Sequence, residues 1–297
     1  MVKINFLFWN INNQLPPFET TLLQFVQDEE IDILILSENK NIVPQSILNT
    51  LGLKSVDLKL SNKTSKWVQV FYRENDNYKI THHSQFTETN DDNKSSFEKT
   101  VNRIQVFKIT GKVEDTFFAC IHFPSKLQHD EVTHLQIVPN YKEKVETLTQ
   151  MSDRLFIVGD FNMNPYDHGM VEPAGFYAHN NRDLLVSDDL HRLGRNRKSY
   201  YNPCWSLLGD YVNKTTHDQS KRTGGSFYFK TQKSRNVYWH LIDQIIMRKT
   251  LIDEFNSEFL QIIENDNLIM EVKRVRKKNE TKLDHFPLKF SFSLKQN

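Results

Sequence analysis

Cysteine is scarce in this chain. Only Cys120 and Cys204 occur among 297 residues, far apart and outside any CxxC pattern. A disulfide framework and a thiolate zinc site are therefore both excluded, and a reducing cytosol fits. Neither sign of charge is in excess: 38 Lys and Arg against 37 Asp and Glu leave a formal net charge of +1. The whole molecule does not attract a polyanion, so any such binding must come from local patches. No apolar run is long enough to span a bilayer. The opening "MVKINFLFWN" turns polar too soon for a secretory leader. The expectation is a soluble, cytoplasmic protein. No internal repeat, low-complexity linker or composition break marks a boundary, so residues 1–297 are expected to form a single domain.

What is present suits a layered α/β fold. Hydrophobic residues make up 38% and charged residues 25% of the chain, enough for one large core. "VKINFLFWNI" and "IDILILSE" are short apolar runs that read as buried strands ending near Asn10 and Glu38. "KWVQVFYR" and "KTVNRIQVFKI" mix apolar and polar positions, as half-buried strands do. "TFFACIHF" ends around His122, "RLFIVGDFN" at Asp160, and "YWHLIDQIIMR" carries a strand through Asp243. "HFPLKFSFSL" alternates Phe286, Leu288, Phe290, Phe292 and Leu294, predicting a half-buried closing strand. Phe18, Leu22, Phe25 and Val26 recur at helical spacing after two prolines. Val138, Tyr141, Val145 and Leu148 mark a second helix face, with Pro139 predicted at its start. The polar stretches 74–98 and 187–236 read as loops.

One event recurs. In "RLFIVGDFNMNP" a buried strand ends on Asp160 and Asn162, and a proline fixes the exit. Asn10, Glu38, His122 and Asp243 likewise sit at or near strand ends, and Asp284 and His285 sit at a strand start. Strand ends in layered α/β proteins are where distant side chains converge. Several carboxylates, two imidazoles and two amides are costly to gather unless something neutralises them. Carboxylate and amide oxygens suit a hard divalent cation such as Mg²⁺, with Mn²⁺ as a substitute. Such a site suits phosphoryl chemistry: a cation offsets phosphate charge, an Asp or His activates water, and amide or imidazole donors hold the phosphate oxygens.

The blocks "FWNI", "LSE", "CIHF", "VGDFNMNP", "LIDQII" and "LDHFPL" resemble, in order and spacing, those of the endonuclease/exonuclease/phosphatase superfamily. "YYNPCWSLLGD", "GGSFYF" and "WHLIDQII" also resemble a group of stand-alone bacterial members. The resemblance spans Asn10 to Leu288. It implies a deoxyribonuclease I-like fold, a four-layer sandwich of two mixed β-sheets flanked by helices. It implies a metal-dependent phosphoester hydrolase, with Glu38 as principal metal ligand and Asn10 and Asp284 beside it. Asp160 and Asn162 would orient or deprotonate the attacking water and bind the scissile phosphate. His285 would contact the phosphate as acid or base, Asp243 would orient His285, and His122 would donate to the phosphate.

The pattern also departs from the family. Asn12 stands where some nucleases carry an Asp, which removes a charge expected at a second metal. The Tyr and basic-loop signatures of abasic-site endonucleases and the fuller signature of inositol polyphosphate phosphatases are not found. Arg103 is a further candidate phosphate contact. Taken singly, Asn10 and Asn162 read as turn residues, Glu38 as a charge at a helix start, and His122 as a hydrogen-bonded strand-end histidine. Asp243 resists such a reading, because a buried carboxylate needs a partner. His82, His83, His129, His134, His168, His179, His191 and His217 lie in polar stretches and are predicted to be solvated; His240 is placed near the cleft. Trp9, Trp67, Trp205, Trp239 and Cys120 read as packing residues. The runs "RLGRNRK" (Arg192 to Lys198) and "KRVRKK" (Lys273 to Lys278) are either solvated loops or grips for a phosphodiester backbone or a polyphosphate head group. The leading expectation is a nuclease acting on DNA or RNA. A phosphatase or phosphodiesterase acting on a small or lipid phosphate stays open, as does an inactive binding module on the same fold.

Overall fold

The structure, a computed structural model, describes residues 1–39, 43–57, 68–83, 104–125, 131–186, 198–209, 223–229, 239–274 and 282–297. Its strands are β1 (Val2–Asn10), β2 (Ile33–Ser37), β3 (Lys54–Ser55), β4 (Val68–Tyr72), β5 (Tyr78–His82), β6 (Ile104–Gly111), β7 (Thr116–His122), β8 (Leu155–Asp160), β9 (Ala178–His179), β10 (Tyr200–Tyr201), β11 (Phe227–Tyr228), β12 (Trp239–His240), β13 (Asp243–Met247), β14 (Phe255–Ile262) and β15 (Leu288–Leu294). They form a six-stranded sheet, β14-β15-β1-β2-β4-β3, a seven-stranded sheet, β5-β6-β7-β8-β13-β10-β9, and the two-stranded β11-β12 ribbon.

Both large sheets are mixed, and each has a parallel pair at its centre; the seven-stranded sheet has a second, β9 with β10, at its edge. β1 runs parallel to β2 and is flanked by antiparallel β15; β7 runs parallel to β8, which is flanked by antiparallel β13. The two sheets face each other across a phenylalanine layer. Phe6 of β1 stacks on Phe290 of β15 at 4.8 Å and meets Phe156 of β8 edge-on at 5.4 Å. Phe156 stacks on Phe118 at 5.4 Å and on Phe292 at 4.8 Å. Rings set in offset-stacked and edge-to-face pairs bury large areas without voids, which suits the space between sheets.

Helices cover the outer faces. Helix α1 (Leu15–Asp28) carries prolines in its first turn, where a missing N–H costs no helical bond, and buries Leu22, Phe25 and Val26. Its Phe25 ring lies 6.0 Å from Trp9 of β1. Helix α2 (Gln45–Leu51) buries Ile47, Leu48 and Leu51 and ends on the left-handed Gly52. Helix α3 (Glu131–Leu148) lays Ile137, Val138, Tyr141 and Val145 on the far side of the second sheet, against Ile121, Leu155 and Ile157. The expected four-layer sandwich is the observed architecture. No helix among the described residues is long and apolar enough to cross a membrane.

Several local expectations are corrected. Pro139 lies inside α3, which begins at Glu131. Burial of Ile137 and Val138 on the sheet outweighs the single helical bond a proline removes. The stretch 74–98 is not all loop, for it contains β5, whose Tyr78, Ile80 and His82 face inward. Within 187–236 the structure shows β10, β11 and a 3₁₀ turn at Pro203–Leu207. The Asp243 segment is two strands, with Asp243 opening the second. β15 is not half-buried: it lies between β14 and β1, and Lys289 and Ser291 on its other face are covered too. Lys289 pays for that cover with an ion pair to Glu29 and a position over the Phe259 ring at 4.8 Å. His82 and His134 are buried, not solvated, against Phe107 and Phe123 at 5.3 and 5.1 Å. Arg103, Trp67, His129, His191, His217, Arg192 to Arg197 and Val275 to Lys278 lie outside the described residues.

Candidate active site

The two central parallel pairs bring four chain segments to one end of the sandwich. In register, Asn10 of β1 pairs with Ser37 of β2, so Glu38, the next residue, emerges beside Asn10. In the second sheet His122 of β7 pairs with Asp160 of β8, and Asp243 of β13 pairs with Asp160 from the other side. His285 precedes β15, whose Leu288 pairs with Phe8 of β1. The ordering of side chains at this end thus follows from strand register, the most strongly specified feature of a buried sheet.

The polar groups meet at hydrogen-bonding distance. Glu38 Oε1 lies 2.8 Å from His122 Nε2 and accepts from Asn10 Nδ2 at 3.2 Å. The same Asn10 nitrogen donates to Asp160 Oδ2 at 3.1 Å, while Asn10 Oδ1 accepts from the Asn12 amide at 3.1 Å. Asn10 therefore joins the carboxylates of the two sheets. Asp160 Oδ2 lies 3.7 Å from His122 Nε2 and 4.0 Å from His285 Nε2. His285 Nδ1 donates to Asp243 Oδ2 at 2.8 Å, which leaves Nε2 facing Asp160 and, at 3.8 Å, Asp284 Oδ1. Trp9 Nε1 donates to the His285 carbonyl at 3.1 Å and fixes the backbone of that residue.

Asn12 stands where a family Asp was a possibility, and it has a role of its own. Its amide donates to the Lys282 carbonyl at 2.9 Å and approaches both Asp284 oxygens at 3.4 and 3.5 Å. Asn162 is a left-handed turn residue, φ +50°, in keeping with the preference of asparagine for turns. Its backbone N–H donates to Asp160 Oδ1 at 2.8 Å and its Nδ2 donates to the Phe123 carbonyl at 2.8 Å, so it ties the loop after β8 to the end of β7. Glu38 is also left-handed, φ +52°. A glutamate pays strain in that region, and such strain collects where a side chain must be aimed.

Burial separates the acids into two kinds. Asp160 and Asp243 are covered, with side chains 2% and 0% exposed, whereas Glu38 and Asp284 keep 27% and 25% exposure. For Glu38, burial pushes the carboxyl up, but the hydrogen bond and charge of His122, the Asn10 amide and the charge of His285 outweigh it and hold it at about 2. For Asp160, burial and the Asp243 charge win over His285, His122 and the Asn162 N–H, and the carboxyl is pushed up to about 6. Burial also raises Asp284, against the charges of His285 and Lys282. His285 would be lowered by burial, but the charge and hydrogen bond of Asp243, then the charges of Asp160 and Asp284, raise it to about 10. The other Asp243 oxygen, Oδ1, is buried with no hydrogen-bond partner among the described residues.

The donor set fits a hard divalent cation. Ligand atoms of Glu38, His122 and Asp160 lie within 4.8 Å of one another, as do those of Asp160, Asp243 and His285. Oxygen donors predominate, no thiolate takes part, and the two part-exposed acids, Glu38 and Asp284, offer an entry side. Sequence reading brought forward all eight polar residues gathered here. It left unexplained the segments around Asn202 and Ser226, which form the second rank. Asn202 Nδ2 donates to Gln244 Oε1 at 2.8 Å, and Gln244 Nε2 donates to the Met163 carbonyl at 2.6 Å, so "YYNPCW" braces the loop after Asp160. The signal was visible as unassigned motifs; only the fold shows what they touch.

No protein-family model matches the chain, and no curated protein sequence matches it. Solved structures do. The catalytic domain of human Nocturnin with bound sulfate superposes with a TM-score of 0.54 at 15% identity, covering 98% of this chain and 94% of that one. A mannosyl-6-phosphatase of Bacteroides thetaiotaomicron gives 0.53 at 14% identity, covering 97% and 98%. An AP endonuclease of Archaeoglobus fulgidus gives 0.51 at 15% identity, covering 97% and 99%. A further match carries the name endonuclease/exonuclease/phosphatase family protein. At these identities the likeness is one of fold, and it runs over nearly the whole chain.

Proposed function

We propose that this protein is a divalent-metal-dependent phosphoester hydrolase, and that its substrate is a phosphodiester of DNA or RNA. The observation that carries the proposal is the convergence of Glu38, Asn10, Asp160, His122, Asp284 and the Asp243–His285 pair from six chain segments at one end of the sandwich. A structural role alone does not account for three acids around one imidazole, since each buried charge is costly unless paired or neutralised. The fold neighbours named as a phosphatase and an AP endonuclease support the same chemistry.

Glu38 and Asp284 would hold the cation, Mg²⁺ by its preference for oxygen, with Asn10 beside them. When bound, the ion supplies neutralisation of phosphate charge and lowers the cost of gathering these acids. Asp160 is buried and its carboxyl sits high for an aspartate, so it is suited to take the proton of the attacking water near neutral pH. As the bond from that water to phosphorus forms, the bond to the leaving oxygen breaks. His285, held protonated by Asp243 and its acidic neighbours, donates from Nε2 to a phosphate oxygen or to the leaving oxygen, and His122, whose Nε2 lies 2.8 Å from Glu38 Oε1, would turn that N–H from the carboxylate to the phosphate. Asn162 would orient Asp160, whose Oδ1 accepts its backbone N–H; its own Nδ2 is held by the Phe123 carbonyl.

The nucleic-acid choice rests on the two basic runs that neighbour active-site blocks in sequence and on the nuclease named among the fold neighbours. The test is cleavage of single- and double-stranded DNA and RNA with Mg²⁺, alongside a panel of phosphomonoesters scored by phosphate release. Glu38→Ala, Asp160→Ala and His285→Ala are expected to abolish turnover. Equal activity in wild type and variants would sink the site; turnover of monoesters only would move the substrate to a small phosphate.

A further inference from the structure

The Asp243–His285 pair is assembled across the sandwich: Asp243 opens β13 of one sheet, and His285 leads into β15 of the other. A 2.8 Å bond between groups on separate sheets needs something to hold the sheets in register at that end. The segment Thr223–Phe227, which overlaps the "GGSFYF" motif of Gly224 to Phe229, runs between them. Thr223 anchors its start, donating its backbone N–H to both Glu264 oxygens at 2.9 and 2.8 Å. Gly225 lies so close to β12 that a Cβ there would sit 2.4 Å from the His240 carbonyl oxygen. Ser226 is fully buried and bonds to both sheets: its Oγ accepts from the Asp243 N–H at 3.1 Å, and its carbonyl accepts from the Phe286 N–H at 2.8 Å. Phe227 forms a β-bridge with His285, and its ring lies 4.8 Å from the imidazole at 49°.

We infer that Ser226 and Phe227 are positioning residues which set the hydrogen bond between Asp243 and His285, Ser226 by fixing the two backbones and Phe227 by fixing the plane of the ring. The inference rests on the reading of Asp243 and His285 as the working pair. Neither residue is bonded to the atoms assigned to the reaction; each acts through its neighbour. Removing the Ser226 hydroxyl leaves the Asp243 N–H buried without its acceptor, so the backbone there shifts to seek another. Removing the Phe227 ring frees the imidazole to rotate about its side-chain torsions. Small losses of alignment at such a pair reduce turnover and leave ground-state binding almost untouched.

Two measurements test this. The first needs no substrate: in protein labelled with ¹⁵N-histidine, the Nδ1 proton of His285, identified by its loss in His285→Gln, should resonate at low field. Ser226→Ala and Phe227→Leu are expected to shift it upfield or broaden it away, and Ser226→Thr and Phe227→Tyr to retain it. An unmoved resonance in folded Ser226→Ala and Phe227→Leu overturns the inference. The second is steady-state cleavage of a phosphodiester oligonucleotide. A fall in kcat of about 10- to 100-fold with KM nearly constant is expected for both truncations. In an Asp243→Asn background the further loss from Ser226→Ala should shrink to less than about twofold. An undiminished loss in that background would mean general destabilisation and would refute the positioning role. Should the wild type cleave no phosphoester at all, the hydrolase reading fails while the resonance still decides the inference.

Discussion

Gly159 is where the fold and the site can be broken together. It lies in β8 between Val158 and Asp160, pairs with Ile121 of β7, and has φ +154°. A Cβ at this position would sit 1.9 Å from the Ile121 carbonyl oxygen and 2.9 Å from the Ile121 nitrogen, where real Cβ contacts under 3.0 Å essentially never occur. The obstacle is the backbone of the neighbouring parallel strand, so no side chain can swing away. Gly159→Ala must therefore part β7 from β8 by more than 1 Å, judged from the 1.9 Å contact and the 3.0 Å limit. The strained φ costs about 1–3 kcal/mol for an L-residue. Weakening one or two neighbouring ladder bonds adds about 1 kcal/mol each. The expected loss is about 2–5 kcal/mol, or a fall in Tm of roughly 4–20 °C at about 2–4 °C per kcal/mol. Calorimetry or thermal circular dichroism reads it directly. Because His122 and Asp160 are the next register pair, the surviving folded protein should also lose turnover more than it loses stability at the assay temperature. A Tm within about 2 °C of wild type would show that the strands do not approach as described, and the register argument for the site would fall with it.

Further outcomes follow from named contacts. Arg154 pairs with the buried Glu254 at 2.7 and 2.9 Å, and Glu254 also accepts from the Lys295 N–H at 3.0 Å. Burial would raise the Glu254 carboxyl, but the Arg154 hydrogen bonds, the Lys295 amide and the charges of both cations lower it. A depressed carboxylate contributes stability above its unfolded value, about 4.3, and that contribution is lost as pH falls through the folded value. Glu254→Gln should therefore cost about 2–4 kcal/mol at neutral pH and flatten the acid limb of a urea-midpoint-against-pH curve; an unchanged limb would refute the assignment. Mg²⁺ should raise the wild-type Tm in a concentration-dependent way, by the equivalent of about 2.7 kcal/mol at a hundredfold excess over Kd. Glu38→Gln should remove that rise, and a retained rise would place the ion elsewhere.

Much of this molecule could be read from residue order because buried strands leave a strong periodic trace. β1, β2, β7 and β8 are almost wholly apolar until their last residue, so a polar residue at the end of each run stood out. What the trace could not carry was anything decided by long-range cover. β15 reads as half-buried because Lys289 and Ser291 alternate with phenylalanines, yet both are covered, Lys289 by Glu29 and the Phe259 ring. Pro139 reads as a start because a proline's local cost is visible and the sheet beneath α3 is not. His82 and His134 read as solvated because polar neighbours in sequence say nothing of Phe107 and Phe123 in space. The same limit applies to the site. Which residues gather was legible, since each lies at or beside the end or the start of a strand. How they are aimed was not, because the aim comes from residues with no chemistry of their own. Trp9 holds the His285 carbonyl, and Ser226 bonds the backbones on both sides of the acid–imidazole pair. A motif scan ranks residues by reactivity and so passes over such supports. In a site assembled between two sheets, the supports settle whether the reactive groups meet at 2.8 Å or miss.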